Sequence, residues 1–388
     1  MAPKVSVILP SYNGARFVRK AIDSVLAQTY GDYEVIVVDD GSTDNTYEVL
    51  ASYASTIHYI RQENQERAVA RNNGVAASKG EYIAFLDSDD LLLPHKLAAQ
   101  VAVLDAQPSV GLVASGYQYI DSDGAILREE RPWLGNPQIS LETLLFYGLT
   151  VIHAVLMRRS WFDMIGGFDP RFSGPEDIDL WFRLSLAGCL MVWEPSIVCQ
   201  YRIHEHNMSR DVSKHFQNVF LVLDHLFARD DLPNQVAARR DEVYGAVHLA
   251  KAGRLYGVGI MDEARSNVEA ALLLNPGLIS GNGALLAAHI TGWERSVWNR
   301  DAPRLLEHVL GNLPARASVP NIQRQIRIAS AKSGFYRAYE RRDARSVLHS
   351  WLTVLRQHPG WLLDRGGWSI LLQSVNWQQQ AHKNETRR

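Results

Sequence analysis

The chain has 388 residues and a mass of 43.6 kDa, more than one ordinary domain needs, which points to two domains. Apolar residues make up 46% and charged residues 21%, which excludes wholesale disorder. Lys and Arg number 40 against 42 Asp and Glu, and the net charge of −2 gives no global attraction to nucleic acid or an anionic membrane.

Residues 4–115 alternate short β-rich runs with helical periodicity. Val5–Leu9 (VSVIL) reads as a buried strand ended by Pro10. Arg16–Gln28 follows as an amphipathic helix, with Phe17, Ala21, Ile22, Val25 and Leu26 on one stripe. Glu34–Val38 (EVIVV) is the next strand, Thr46–Tyr53 a short helix, and His58–Arg61 a third strand. Ala68–Ala77 is helical, Tyr82–Leu86 (YIAFL) is a strand, Pro94 opens a helix, and Val110–Ser115 is the strand after it. This alternation predicts an α/β fold, a mostly parallel sheet with helices on both faces. Residues 116–215 are mixed, with loops around Pro132–Pro137 and Gly166–Pro175 and a helix near Asp177–Ala187.

After about Lys214 strand signals vanish, and Ala, Leu and Arg recur at helical spacing. His248–Pro276 and Ala331–Pro359 resemble each other, each placing a Tyr (Tyr256, Tyr339) at the same distance before a closing Pro. That pattern is a weak, tetratricopeptide-like helix–turn–helix signal. We therefore expect a catalytic domain over 1–225 and an all-α domain over 226–388, ending in a frayed polar tail. Six of the ten tryptophans, Trp293, Trp298, Trp351, Trp361, Trp368 and Trp377, fall in the second part, where helix packing is the simplest account of them. Cys189 and Cys199 lie in apolar segments and are expected to be buried, reduced thiols. No apolar run reaches the ~18–20 residues of a membrane span, and Val5–Leu9 is too short for a signal-peptide core. The expectation is a soluble, cytoplasmic protein.

Polar clusters follow the predicted strands. Ser11, Tyr12 and Asn13 follow the first, Asp39 and Asp40 the second, and Asp87, Asp89 and Asp90 follow YIAFL. Ligands of open parallel sheets bind beyond the carboxyl ends of the strands, so the three clusters point to one site. Three carboxylates in the run Asp87-Ser88-Asp89-Asp90 repel one another unless a cation or water screens them. A hard divalent ion, Mg²⁺ or Mn²⁺, is their natural partner, and helix capping by Ser88 or Asp90 is the competing account. Asp39 and Asp40 emerge where an acid accepts bonds from a base or ribose; Thr43 and Asp44 read as turn formers. No Gly-x-Gly-x-x-Gly follows the first strand and no P-loop is present, which argues against a dinucleotide dehydrogenase and a P-loop NTPase.

Taken together, VSVILPSYNG, VIVVDDGSTD, AVARNNGVAASKGEYIAFLDSDD, GGFDP, EDIDLWFRL and YRIHEHNMS resemble the family 2 glycosyltransferases over roughly residues 4–210. The resemblance implies a GT-A fold and inverting transfer of a hexosyl or N-acetylhexosaminyl group from a nucleotide diphosphate-sugar, UDP-linked by default. It implies that Pro10 and Tyr12 border the nucleoside, Asp39 and Asp40 bind base or ribose, and Arg71 lies near the base. Asp87 would reach the ribose or donor sugar, Asp89 would ligate Mn²⁺ or Mg²⁺, and Asp177 would be the general base. His204 would be a late metal or phosphate contact with Arg202 beside it.

Chemistry is consistent with these roles. A metal with Arg202 or His204 offsets charge on the leaving diphosphate, and inversion needs one base on the opposite face. With Pro175 opening a helix, Asp177 falls in its first turn, where the dipole favours the ionised form and weakens the base unless burial raises its pKa. Among the neighbours, Asp179 reads as the i,i+4 ion-pair partner of Arg183, Glu176 as a first-turn acid or an acceptor contact, and Asp169 as a turn former. Gly166 and Gly167 are either a close approach to the sugar or loop punctuation. The expected partners are a nucleotide-sugar donor and a carbohydrate, lipid-linked or protein acceptor, with no nucleic acid. A peripheral contact at the inner membrane face and oligomerisation through the helical part are secondary expectations. Two rival readings are a GT-A-like nucleotidyltransferase, for which PSYNGAR is a poor loop, and a non-catalytic nucleotide-sugar-binding or helical-repeat interaction protein.

Overall fold

The computed structural model describes residues 2–172, 174–299, 301–364 and 366–374; Trp377 and the polar tail, 378–388, lie outside the described residues. The chain divides into two compact units, Met1–Arg240 and Asp241–Arg388.

The first unit runs β1 (Val5–Ser11), α1 (Val18–Leu26), β2 (Tyr33–Asp39), α2 (Thr46–Ala51), β3 (His58–Arg61), α3 (Glu66–Ala77) and β4 (Tyr82–Phe85). It continues through β5 (Leu91–Leu92), α4 (Lys96–Ala106), β6 (Val110–Ile120), β7 (Ile126–Glu130), α5 (Leu141–Tyr147) and β8 (Val155–Arg158). Then come α6 (Arg159–Met164), α7 (Glu176–Leu186), β9 (Leu190–Arg202), α8 (Val212–Phe227) and α9 (Asn234–Ala237). One nine-stranded sheet has the order β3-β2-β1-β4-β8-β6-β9-β5, with β7 on β6. The strands β3, β2, β1 and β4 are parallel, whereas β8 runs antiparallel to both β4 and β6.

Every residue of β1 is buried, so both faces must be covered. Val5, Val7 and Leu9 pack with Val18, Ala21, Ile22 and Val25 of α1 on one side. On the other face α3 approaches closely at Gly74, where an added Cβ would lie 2.4 Å from Ile8 Cγ2. Each such Val, Leu or Ile contributes roughly 1.5–3 kcal/mol by leaving water. Pro10 does not end the strand: β1 continues to Ser11, paired with Asp39 of β2. The reason lies at the opposite edge. Leu86 N–H donates to Ile8 O, and two residues later Pro10 faces the same edge, where β4 has already stopped, so its missing N–H costs no ladder bond.

Residues 116–215 hold more regular structure than their pattern predicts, including β7, α5, β8, α6 and the 13-residue β9. Cys189 and Cys199 are free and buried. Among the described residues, no helix is long and apolar enough to cross a membrane.

The second unit is helical. Here α10 (Arg240–Val258) pairs with α11 (Met261–Leu274), followed by α12 (Ala284–Arg295), α13 (Ala302–Gly311), α14 (Pro320–Glu340) and α15 (Ala344–Gln357). Each of the two similar sequence stretches forms a helix pair closed by a Pro-initiated 3₁₀ turn, at Pro276–Ile279 and Pro359–Leu363. Three of the tryptophans serve packing: Trp351 and Trp361 are buried with ring centres 4.6 Å apart, and Trp293 packs on Gly253.

Candidate active site

Topology brings β2, β1 and β4 side by side, so the three polar clusters do end at one edge of the sheet. The loops after β1 and β2 are stitched together by Asn13. Its backbone N–H donates to Ser42 Oγ at 2.9 Å, and its Oδ1 accepts from Thr43 N at 2.8 Å. Tyr12, just before it, is 52% exposed and presents its ring to solvent, whereas Pro10 is buried. Asp39 accepts from Ser42 N at 2.8 Å and from Tyr59 Oη at 3.0 Å, so both of its oxygens brace the turn. Asp40 Oδ1 accepts from Gln62 Nε2 at 2.7 Å and from Gln65 N at 2.9 Å. Asp44 Oδ1 accepts from Thr46 N at 3.0 Å, the turn role expected of it.

The Asp87–Asp90 run forms a tight turn beyond β4, closed by Asp90 N–H to Asp87 O at 3.1 Å. None of its members caps the next helix, because the residue at the N-cap of α4 is His95. The capping account therefore falls away for Ser88 and Asp90. Asp87 Oδ1 accepts from Arg71 Nη2 at 2.5 Å, and Arg67 stands 3.9 Å from its second oxygen. Burial alone would raise the Asp87 pKa, but Arg71 and Arg67 outweigh it and hold the carboxyl at about 2.

Arg71 is 1% exposed, and its other Nη pairs with Glu176. Both Nη groups are thus spent on carboxylates rather than offered to a base, and the side chain ties the β4 turn to the start of α7. Glu176 is correspondingly no acceptor contact: it is 1% exposed, and Gly174 N–H donates to its second oxygen at 2.8 Å. The expected ion pair of Asp179 with Arg183 forms, at 2.7 Å. Arg183 also donates to Ile165 O and Gly167 O, fixing the GGFDP loop. Asn72 clamps the same loop through both backbone groups of Phe168. Gly167 has φ +73°, and a Cβ there would lie 2.7 Å from Asn72 Oδ1, so the close approach is to Asn72. Asp169 is a turn former, accepting from Arg171 N at 2.9 Å.

Asp177 sits in the first turn of α7 behind Pro175, half-buried, and its Oδ1 accepts from Ile178 N at 2.8 Å. Burial and the adjacent Glu176 carboxylate raise its pKa to about 7. This overcomes the helix dipole and leaves a carboxylate basic enough to take a proton near neutral pH.

On the other side of the turn, His204 Nε2 lies 2.9 Å from Asp89 Oδ2, two atoms of metal-ligating type brought together across 115 residues. Arg202 is buried and donates to backbone carbonyls of Asp89, Asp121 and Ser122, while its own N–H donates to Asp90 Oδ1 at 2.6 Å. Its guanidinium therefore braces the acidic turn. His206 is exposed and hydrogen-bonds only locally, through its N–H to His204 Nδ1. A residue absent from the sequence reading, His153, faces Asp90 with Nδ1 3.3 Å from Oδ2. One ligand atom each of Asp87, Asp90 and His153 lies within 4.8 Å of the others, a group that could hold a metal ion. Burial and the neighbouring Asp89 and Asp87 push the Asp90 pKa well above the usual carboxylate range.

Comparison with known proteins identifies the family and the fold. The family model for glycosyl transferase family 2 matches residues 6–166. An uncharacterized glycosyltransferase of Rickettsia felis is 38% identical over 220 residues, covering 55% of this chain and 36% of that protein. The putative glycosyltransferase EpsE of Bacillus subtilis is 34% identical over 196 residues, 48% of this chain and 68% of that one. The match spans about a third of the length of the Rickettsia felis, bellii and conorii relatives (36%, 32% and 36%). Among solved structures, S. aureus TarS 1-349 in complex with UDP-GlcNAc superposes with a TM-score of 0.54 at 17% identity, covering 87% of this chain and 92% of that one. Mannosyltransferase PcManGT from Pyrobaculum calidifontis, in complex with GDP-Man and Mn²⁺, gives 0.53 at 21% identity, covering 80% and 87%. At those identities the likeness is one of fold. Sheet order and relatives converge: the chain belongs to glycosyl transferase family 2, and its first unit has the GT-A fold.

Proposed function

We propose that the protein transfers a hexosyl or N-acetylhexosaminyl group, with inversion, from a nucleotide diphosphate-sugar to an acceptor hydroxyl. The observation that carries the reading is Arg71, whose ion pairs join the acidic turn after β4 to the helix start that bears Asp177. Donor groups and base are thereby held in one rigid frame, as a single-displacement reaction requires. The relatives' nucleotide-sugar complexes support a donor of that class, and a UDP-sugar is the default.

In this reading Pro10 and Tyr12 border the nucleoside, and Asp40 accepts from base or ribose while Asp39 holds the turn. Asp87, kept ionised by Arg71, accepts hydroxyls of the ribose or donor sugar. Asp89 and His204 would hold Mn²⁺ or Mg²⁺, which would supply positive charge against that developing on the leaving diphosphate. Arg202 acts by positioning Asp89. With Oδ1 engaged by Ile178 N–H, Asp177 uses Oδ2 to take the acceptor's proton. The acceptor is a hydroxyl of a carbohydrate, a lipid-linked oligosaccharide or a protein.

The test is a thermal-shift panel of UDP, GDP, dTDP and their sugar conjugates with Mn²⁺, Mg²⁺ or EDTA. One nucleotide class should stabilise the protein, and only with metal. No metal-coupled stabilisation by any of them would overturn the reading and favour an inert interaction protein.

A further inference from the structure

His153 is a buried titratable side chain that the transfer reading leaves without a task. It lies just ahead of β8, is 1% exposed, and stacks on Tyr201 with ring centres 5.8 Å apart. Neither of its ring nitrogens has a hydrogen-bond partner among the described residues. Buried polar side chains in native proteins are otherwise almost always paired. The ring is aimed at the acidic turn, since Nδ1 lies 3.3 Å from Asp90 Oδ2. Two carboxylate oxygens and an imidazole nitrogen, within 4.8 Å of one another, are a donor set suited to Mn²⁺ and other first-row divalent ions.

We propose that His153, Asp87 and Asp90 form a divalent-cation site that fills in the absence of nucleotide. The ion gives the imidazole the partner that the protein does not supply and separates the Asp87 and Asp90 carboxylates. The ligand set differs from the Asp89–His204 pair assigned to the donor-linked metal, and its occupancy does not depend on the transfer reaction.

The experiment is titration of the nucleotide-free full chain with MnCl₂, followed by electron paramagnetic resonance, on protein carrying ¹⁵N-labelled histidine. Saturable binding is expected, with a directly bound histidine nitrogen in the pulsed spectrum that persists in His204→Ala. In His153→Gln that nitrogen should vanish and Mn²⁺ should bind about tenfold or more weakly. Absence of nucleotide-free binding, or loss of the nitrogen signal in His204→Ala, overturns the proposal. The His204→Ala spectrum decides the matter even if His153→Gln fails to fold. Binding that appears only after UDP or GDP is added removes this site and leaves the transfer reading standing. A histidine-bound ion in a chain that turns over no donor does the reverse.

Discussion

Replacing Asp177 by Asn separates its chemical role from its cost to stability. Burial and the neighbouring Glu176 carboxylate raise the Asp177 pKa from 3.8 to about 7. Between about pH 4 and pH 7 the native chain keeps a proton that the unfolded chain has released, so stability falls as pH rises across that window. The ionised carboxylate is therefore a liability that is fully present above about pH 7. A rise of that size converts to a ceiling of about 4 kcal/mol. Because Asp177 is only half-buried, solvent screening brings the expected penalty to about 1–3 kcal/mol. Asn carries no such charge. Asp177→Asn should melt roughly 3–10 °C higher than the wild type at pH 8, given ~2–4 °C per kcal/mol for a unit of this size. The gap should narrow toward pH 4. Transfer should fall by about 10²–10⁴ through loss of the base. The assay is differential scanning fluorimetry across that pH range, with nucleotide release measured alongside. A melting gain independent of pH, or undiminished turnover, would refute the reasoning.

Three further outcomes follow from the same geometry. Arg71→Met strands the buried Glu176 without its cation, leaves Asp87 only the more distant Arg67, and should cost about 3–5 kcal/mol in urea unfolding, part of which Glu176→Gln restores in the double variant. Asp89→Ala should abolish the metal-coupled part of nucleotide stabilisation, about 2.7 kcal/mol at a hundred times the dissociation constant, without lowering the melting temperature of the free protein. Gly167→Ala forces a side chain into a positive-φ position against Asn72 and should cost about 1–3 kcal/mol, seen as a lower urea midpoint at unchanged slope.

The parallel half of the sheet was legible because β1, β2 and β4 appear as short, mainly apolar runs, each followed by a polar cluster. That pattern was enough to place Asp39, Asp40 and Asp87 at the ends of the two strands that flank β1. Beyond residue 115 the same logic loses its grip. In β9 the polar run Glu194-Pro195-Ser196 interrupts the pattern, and the register with β6 shifts between Ala114 and Gly116 and again before Tyr117, so no single period survives. His153, within the apolar run VIHAVLM, looks like a satisfied core histidine. Only the folded chain shows its nitrogens unpaired beside carboxylates more than sixty residues away. Arg71 is another long-range case. Its motif marks it as part of the site, but its partner Glu176 lies 105 residues on, a distance at which spacing carries no information. Lys96 shows the limit from the other side: no motif singles it out, yet it is fully buried, with Nζ donating to Gln100 Oε1 and Val155 O.

The most direct test of the central claim follows the anomeric configuration of the first sugar released. The chain is incubated with Mn²⁺ and the donor chosen by the thermal-shift panel, with water as acceptor, and the reaction is followed by proton nuclear magnetic resonance. The account predicts metal-dependent release of the anomer opposite to that of the donor, and none from Asp177→Asn. Release of the retained anomer, or equal release by Asp177→Asn, would contradict it.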